Sequence, residues 1–550
     1  MIRQGQWIDK SGPVFLDRQM TPTVMSWSQI AFQAKQYAVC LQSLGVQKGN
    51  RIGLVVLEER EFIRVFFGLA LIGAIPVPIA GMTVMGNRDS YLDRVAAILR
   101  ACAATHFIGP QKLLTDTTKN RLAVTTQVET LTVEYLEQAA SKIFDVNLDL
   151  DSITGDIGYL QFTSGSTGDP KGVMISNAGL AANITESNRR LESDSRREMI
   201  VSWLPLFHDF GLIGSMITPF ASGTNVTYIP PIVFAARPGV WLETIHRYRC
   251  TMTMSNMFGL SAAIKRRPRV EDLDLSCLRV LILGSEPVQP DTVRRFLEVF
   301  APYGLSPEVI TPGYGLAEAT LTVAISSPRE HMRTQRISRR AYEIDRRAVR
   351  TSELDADAVE FVSCGYPLQN HKICIRSRFG HPVPQGAVGE ITVAGPSVTA
   401  GYFQRPDATA EILRDGWLHT GDLGFELDGQ LYVTGRIKDL IIIAGRNYDP
   451  QLIERHSGCV NGVRRSRVVA FSIPAADGER LVVVAECENP NRIDGIESTI
   501  RRELIHHTGL SPFHVMLIRP WTLPMTTSGK LQRHRTRDLF LGGELAAVNR

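Results

Sequence analysis

Short apolar runs alternate with amphipathic stretches at helical spacing through the first 150 residues, and this alternation confines the chain to sheets of parallel strands covered by helices. Residues 27–44 read as an amphipathic helix, 51–56 as a strand and 61–72 as a second helix. The same alternation continues with strands over 157–162, 201–205, 225–229, 278–283 and 309–311. In such sheets ligands sit beyond the carboxyl ends of the strands. The apolar run 65–82 approaches membrane length, but Pro76 and Pro78 interrupt it and the charged stretch 58–64 precedes it. It reads as a buried helix ending before Pro76, then a short buried strand through Val77 and Ile79.

At 550 residues the chain exceeds one typical domain. A 44% hydrophobic and 21% charged composition is that of an ordinary soluble protein, and a net charge of +4 is too small to make nucleic acid or a membrane the main partner. Eight scattered cysteines without C-x-x-C pairs or metal spacing fit a reduced compartment. Residues 1–9 lack the apolar core of a secretory signal. The expectation is a cytoplasmic protein without stable membrane insertion and without nucleic acid as a partner.

One loop carries the chemistry. After the strand-like lead to Phe162 comes Thr163-Ser164-Gly165-Ser166-Thr167-Gly168-Asp169-Pro170-Lys171-Gly172. Glycines let backbone N–H groups approach an anion, hydroxyls add donors and Lys171 adds a mobile positive charge, so the composition suits wrapping phosphates. It is not a Walker motif, because Pro170 stands where the second glycine belongs. No G-x-S-x-G elbow or H-E-x-x-H supports hydrolase chemistry.

Downstream follow Trp203-Leu204-Pro205-Leu206-Phe207-His208-Asp209, Gly284-Ser285-Glu286-Pro287 and Gly313-Tyr314-Gly315-Leu316-Ala317-Glu318. Then come Gly416-Trp417-Leu418-His419-Thr420-Gly421-Asp422, Gly435-Arg436-Ile437-Lys438-Asp439 and Thr527-Ser528-Gly529-Lys530. In this order the set resembles the adenylate-forming superfamily of acyl-CoA synthetases, peptide-synthetase adenylation domains and luciferases, across essentially the whole chain. The wording around 204–214, 284–287, 314–320, 362–365, 445–450 and 540–545 is most similar to the fatty acyl-AMP ligases. Phe210 and Ser285 depart from the residues common in that branch.

The resemblance implies an α/β fold: a large N-terminal domain of helix-covered sheets with a small β-barrel over 1–435, then a small mobile α+β domain over 436–550 with a hinge near Lys438. It also implies activation of a fatty acid by ATP and Mg²⁺ to a fatty acyl-adenylate with release of pyrophosphate. The acyl group then passes to the phosphopantetheine arm of a separate acyl carrier protein; the alternative is a medium- or long-chain acyl-CoA synthetase. By the same resemblance Thr163, Ser164, Gly165, Ser166, Thr167, Gly168 and Lys171 hold the β- and γ-phosphates, and Glu318 binds the Mg²⁺. Tyr314 stacks on adenine with Gly284, Ser285 and Glu286 along the other face, beside Gly315 and Leu316. Asp422 accepts from the ribose hydroxyls, Arg436 sits near ribose and phosphate, and Lys530 bridges carboxylate and α-phosphate as the catalytic residue.

His208 and Asp209, as strand neighbours, point to opposite faces. The resemblance makes His208 the one near the acyl carboxylate, positioning it rather than removing a proton; a hydrogen-bonded core histidine is the plain alternative. Asp209, the nearest candidate partner for an amino-acid ammonium, then faces away. Met252, Met254, Met257 and Phe258, beside Gly259, either line a tunnel for an alkyl chain or are core. The arginine-rich stretch 324–360 reads as a solvated insertion or a docking surface for an acidic partner, and in the family such an insertion restrains the small domain. Asp151-Ser152-Ile153 matches a pantetheine attachment site only superficially, since no helical bundle surrounds it.

Overall fold

The computed structural model describes residues 12–82, 88–148, 155–163, 170–268, 270–352, 355, 357–443, 446–475, 478–525 and 531–548. The helix Trp27–Ser43 starts at a capping box in which Ser26 and Gln29 satisfy each other's backbone N–H groups, and it buries Ile30, Ala34, Tyr37, Ala38 and Leu41. The helix Glu59–Leu71 is buried on nearly every side, and its buried charges are paired, Arg64 donating to Glu61 at 2.6 Å and the Tyr37 hydroxyl to the same carboxylate at 2.6 Å. It ends well before Pro76, and the following strand Ile75–Pro78 lies at the edge of its sheet, where prolines lacking a donor are tolerated.

Two sheets carry the N-terminal part. Four parallel strands run in the order Ile75–Pro78, Arg51–Leu54, His106–Gly109, Glu129–Thr132. A nine-stranded sheet has a parallel centre of Ile310–Gly315, Val280–Leu283, Met252–Ser255, Met199–Ser202, Asn225–Tyr228 and Pro13–Leu16, with antiparallel strands at both edges. Strand ends differ from the sequence reading in instructive ways. The strand expected at 201–205 stops at Ser202, whose hydroxyl accepts from Leu204 N at 3.1 Å, and Pro205 offers no ladder donor. Leu278 belongs to a turn, donating to Leu275 O at 3.0 Å, so that strand begins at Val280.

Between 364 and 432 the short strands form part of a five-stranded sheet in which Trp417–Leu427 pairs antiparallel with Gln430–Arg436. Beyond it, Val463–Ala475, Gly478–Cys487 and His514–Ile518 form a three-stranded sheet flanked by the helices Pro450–Gly458, Ile496–Thr508 and Arg533–Leu541. The expected order of a large helix-covered α/β part followed by a small α+β part is present. Contacts divide the chain into two units. One holds Met1–Met332, Gly365–Lys372 and Val393–His419; the other holds Arg333–Cys364, Ile373–Thr392 and Thr420–Arg550.

The arginine-rich insertion is not merely a solvated loop. Thr334–Ser338 pairs antiparallel with Ala358–Val362, and Ile337, Tyr342, Val359 and Phe361 share one core with Phe425, Tyr432 and Leu452. Three of its eight arginines serve this structure: Arg336 donates to Asp355 O at 2.7 Å, Arg339 faces Asp357 at 3.3 Å and Arg350 pairs with Asp428. Alternation of side chains across a hairpin hides one apolar face behind a polar composition. All eight cysteines are free thiols, and no helix among the described residues is long and apolar enough to cross a membrane.

Candidate active site

Parallel pairing aligns the carboxyl ends of four strands, and the residues singled out from sequence leave from those ends. Ser255 lies opposite Leu283, Leu283 opposite Pro312, and Thr253 opposite Val201. The segments reaching His208, Gly284 to Glu286, and Tyr314 to Glu318 therefore start along one edge of the sheet. Ser285 takes the left-handed conformation, φ +71°, a strained position for a residue with a β-carbon. The Glu286 carboxylate accepts from Met257 N at 2.8 Å, so it caps the first turn of the helix Met257–Lys265.

Past Tyr314 the strand breaks register and turns into a single 3₁₀ turn, Ala317–Ala319, which carries half-buried Glu318. That turn is held by a buried hydrogen-bond network. Asn183 donates to Thr322 O at 2.8 Å and lies 3.2 Å from Ser397 Oγ; Ser397 donates to Ala319 O at 3.0 Å. His371 Nε2 lies 2.6 Å from the same Ser397 hydroxyl. Thr320, a β-branched residue at φ +69°, donates to Ser397 O at 2.7 Å. Such a conformation persists only where its surroundings over-determine it.

The strand Ile157–Thr163 and the strand Lys171–Ser176 pair antiparallel, with a register that sets Lys171 opposite Thr163. The Lys171 ammonium lies over the Tyr402 ring, 5.3 Å from its centroid, and the Tyr402 hydroxyl donates to Glu318 Oε1 at 2.7 Å. Sequence reasoning missed Tyr402, because a single tyrosine far along the chain carries no spacing signal. Among the described residues no cluster of three or more His, Cys, Asp or Glu could hold a metal ion. Mg²⁺ needs only one or two carboxylates with phosphate oxygens and waters. Glu318, linked through Tyr402 to Lys171, fits such a donor.

His208 and Asp209 do not alternate on a strand. The chain has already turned: His208 stands just before the short helix Asp209–Gly211, and its Nδ1 lies 2.6 Å from Asp209 Oδ1. Phe210 N approaches Nδ1 only at 3.4 Å and reaches Asp209 Oδ1 at 2.7 Å. The short contact makes Nδ1–H a donor to the carboxylate and leaves Nε2 on the far edge of the ring. Asp209 is thus engaged locally, which speaks against its receiving a substrate ammonium. Met252, Met254 and Met257 are buried in the apolar core, while Phe258 is 38% exposed.

In the second unit, Asp422 faces Arg436 across adjacent strands, with Arg436 Nε 2.8 Å from Asp422 Oδ1. Asp422 is 5% exposed and its N–H donates to Thr420 Oγ1 at 3.1 Å, whereas the Arg436 side chain is 64% exposed. The turn Ile437–Asp439 follows directly. Arg533 pairs with Asp439 in that turn and with Glu454 at 2.8 Å. Nearby, Asp449 caps the helix Pro450–Gly458, and burial pushes its carboxyl up to about 7.

Ser164, Gly165, Ser166, Thr167, Gly168, Lys530, the side chain of Thr163 and the 151–153 segment lie outside the described residues.

Comparison with known proteins identifies the family. The AMP-binding enzyme family matches residues 10–403. A putative acyl-CoA synthetase of Caulobacter vibrioides is 31% identical, covering 94% of this chain and 91% of that protein. The medium-chain fatty-acid acyl-carrier-protein ligase JamA of Moorena producens is 33% identical, covering 95% and 90%. A structure from work on the fatty acyl-adenylate ligases of E. coli and L. pneumophila superimposes with a TM-score of 0.88 at 31% identity, covering 97% of this chain and 96% of that one. The chain belongs to the AMP-binding enzymes, as an adenylate-forming ligase most like the fatty acyl-AMP ligases.

Proposed function

We propose that this enzyme joins a fatty acid to AMP from ATP and then passes the acyl group to the phosphopantetheine thiol of a separate acyl carrier protein, in the cytoplasm. The observation that carries the reading is the Lys171–Tyr402–Glu318 arrangement at the end of the paired strands Ile157–Thr163 and Lys171–Ser176, near the carboxyl edge of a parallel sheet. In the first step a carboxylate oxygen attacks the α-phosphorus and the bond to the β-phosphate breaks, releasing pyrophosphate. An anion must approach a polyanion, so fixed positive charge and oriented donors lower the barrier. Lys171 and the loop from Thr163 to Gly168 hold the β- and γ-phosphates. Mg²⁺, when bound with Glu318, neutralises phosphate charge.

Tyr314 stacks on adenine with Gly284, Ser285 and Glu286 opposite, beside Gly315 and Leu316, and Asp422 accepts from the ribose with Arg436 beside it. His208, aimed by Asp209, presents Nε2 to the acyl carboxylate as a positioning group. Lys530 bridges that carboxylate and the α-phosphate as charge builds. In the second step the carrier thiol attacks the acyl carbon and AMP leaves. The small domain, 436–550, turns about Lys438 between the steps against the body, 1–435, and the insertion core that includes Leu452 restrains it.

The name of the Moorena producens relative supports a carrier as acceptor, and the name of the Caulobacter vibrioides relative favours a second reading, an acyl-CoA synthetase. Incubating the enzyme with ATP, Mg²⁺ and a medium-chain fatty acid, with hydroxylamine as trap or coenzyme A as acceptor, separates them. Fatty-acid-dependent pyrophosphate and acyl hydroxamate with only traces of acyl-CoA are expected. Abundant acyl-CoA would establish the second reading instead.

A further inference from the structure

Tyr402 is 8% exposed and belongs to a segment that ties two distant parts of the candidate site together. Val173 and Tyr402 form an antiparallel bridge; Met174 N donates to Gly401 O at 3.1 Å and Phe403 N to Gly172 O at 2.8 Å. The segment thus runs beside the strand that leaves the phosphate loop. At its other end Thr399 N donates to Glu318 O at 2.8 Å, and the Thr399 hydroxyl donates to Met174 O at 2.7 Å. Gly401 adopts φ +127°, and a β-carbon there would lie 2.3 Å from Thr409 Cγ2, so the bend that presents Tyr402 requires glycine.

We infer that Tyr402 is a positioning residue that sets Lys171 and Glu318 for a magnesium nucleoside triphosphate: its ring face supports the ammonium and its hydroxyl orients the carboxylate. This rests on the reading that Lys171 faces phosphate and Glu318 faces the metal. A ring centroid within about 6 Å of an ammonium attracts it through the ring quadrupole. A hydroxyl donating to a carboxylate fixes which oxygen remains turned to other ligands, as partners behind a metal ligand commonly do. One side chain therefore holds a cation and an anion whose spacing must match a phosphate chain and its counter-ion.

The test uses full-length protein and the α,β-methylene analogue of ATP, which cannot release pyrophosphate. Calorimetric affinity is measured over a Mg²⁺ series, beside thermal unfolding of the free protein. Tyr402→Phe keeps the ring and removes one oxygen. It should leave the unfolding temperature and the metal-free affinity near wild type while raising the Mg²⁺ concentration for half-maximal binding by about tenfold. Tyr402→Leu should in addition weaken metal-free binding by about threefold. Glu318→Gln separates the failures. If Glu318→Gln raises the Mg²⁺ requirement and Tyr402→Phe does not, the inference about Tyr402 falls alone. If Glu318→Gln leaves it unchanged, the reading of Glu318 falls and takes the inference with it. A Tyr402→Phe protein that melts early but binds Mg²⁺ normally shows a purely structural tyrosine, which also overturns it.

Discussion

The turn that carries Glu318 and the segment that carries Asp422 and Arg436 are built by opposite means. Around Glu318, buried Asn183, Ser397 and Thr320, with His371 beside Ser397, act mainly through neutral hydrogen bonds to backbone carbonyls, and Thr320 stays in a strained conformation. Around Asp422 the links are ionic: Arg436 on Asp422, then Arg533 on Asp439 and Glu454. Neutral buried networks fix one geometry, because each unmade bond strands a polar group away from water. The Asp422–Arg436 pair has an exposed member, and such a pair exchanges partners at little cost, whereas Arg533, Asp439 and Glu454 are largely withdrawn from water.

The largest effect should come from Lys530→Ala. If Lys530 belongs to the part that closes only for adenylation, its charge matters most in the transition state, and kcat for fatty-acid-dependent pyrophosphate release should fall by about a hundredfold or more while the KM for ATP changes only a few-fold. A loss confined to ATP binding would erase the contrast.

Asn183→Ala tests the other half. It leaves the half-buried Thr322 carbonyl without its 2.8 Å donor and should lower unfolding stability by about 1 to 3 kcal/mol, with a parallel loss of adenylation. Denaturant titration beside the kinetic assay reads both, and an unaltered stability would show that the turn does not depend on its network.

The smallest effect concerns pH in the ionic half. Asp449 holds its proton up to about pH 7 because burial disfavours the charge, whereas an unfolded aspartate releases it near pH 4. Its contribution to stability is thus fully present below about pH 4 and is lost as pH rises through about 7. Asp449→Asn keeps a side-chain oxygen to cap the helix and cannot ionise. Relative to wild type it should gain on the order of 2 kcal/mol between pH 5 and pH 8 in melting experiments. Parallel pH curves would mean that Arg533 already keeps Asp449 charged.

Local pattern determined much of this protein. The 3.6 and 2.0 periodicities are properties of neighbouring residues, so the helices Trp27–Ser43 and Glu59–Leu71 and most central strands were legible. The ordered motifs led to the family. What tertiary structure alone decided are meetings between residues far apart in sequence: Tyr402 with Lys171 and Glu318, Asn183 with Ser397, and the insertion's Ile337 and Phe361 in one core with Leu452. It also placed His208 against Asp209 where alternation had set them apart. Such contacts depend on strand register, on where a strand stops and on which face of a hairpin is covered, and none of these is encoded within a single stretch of chain.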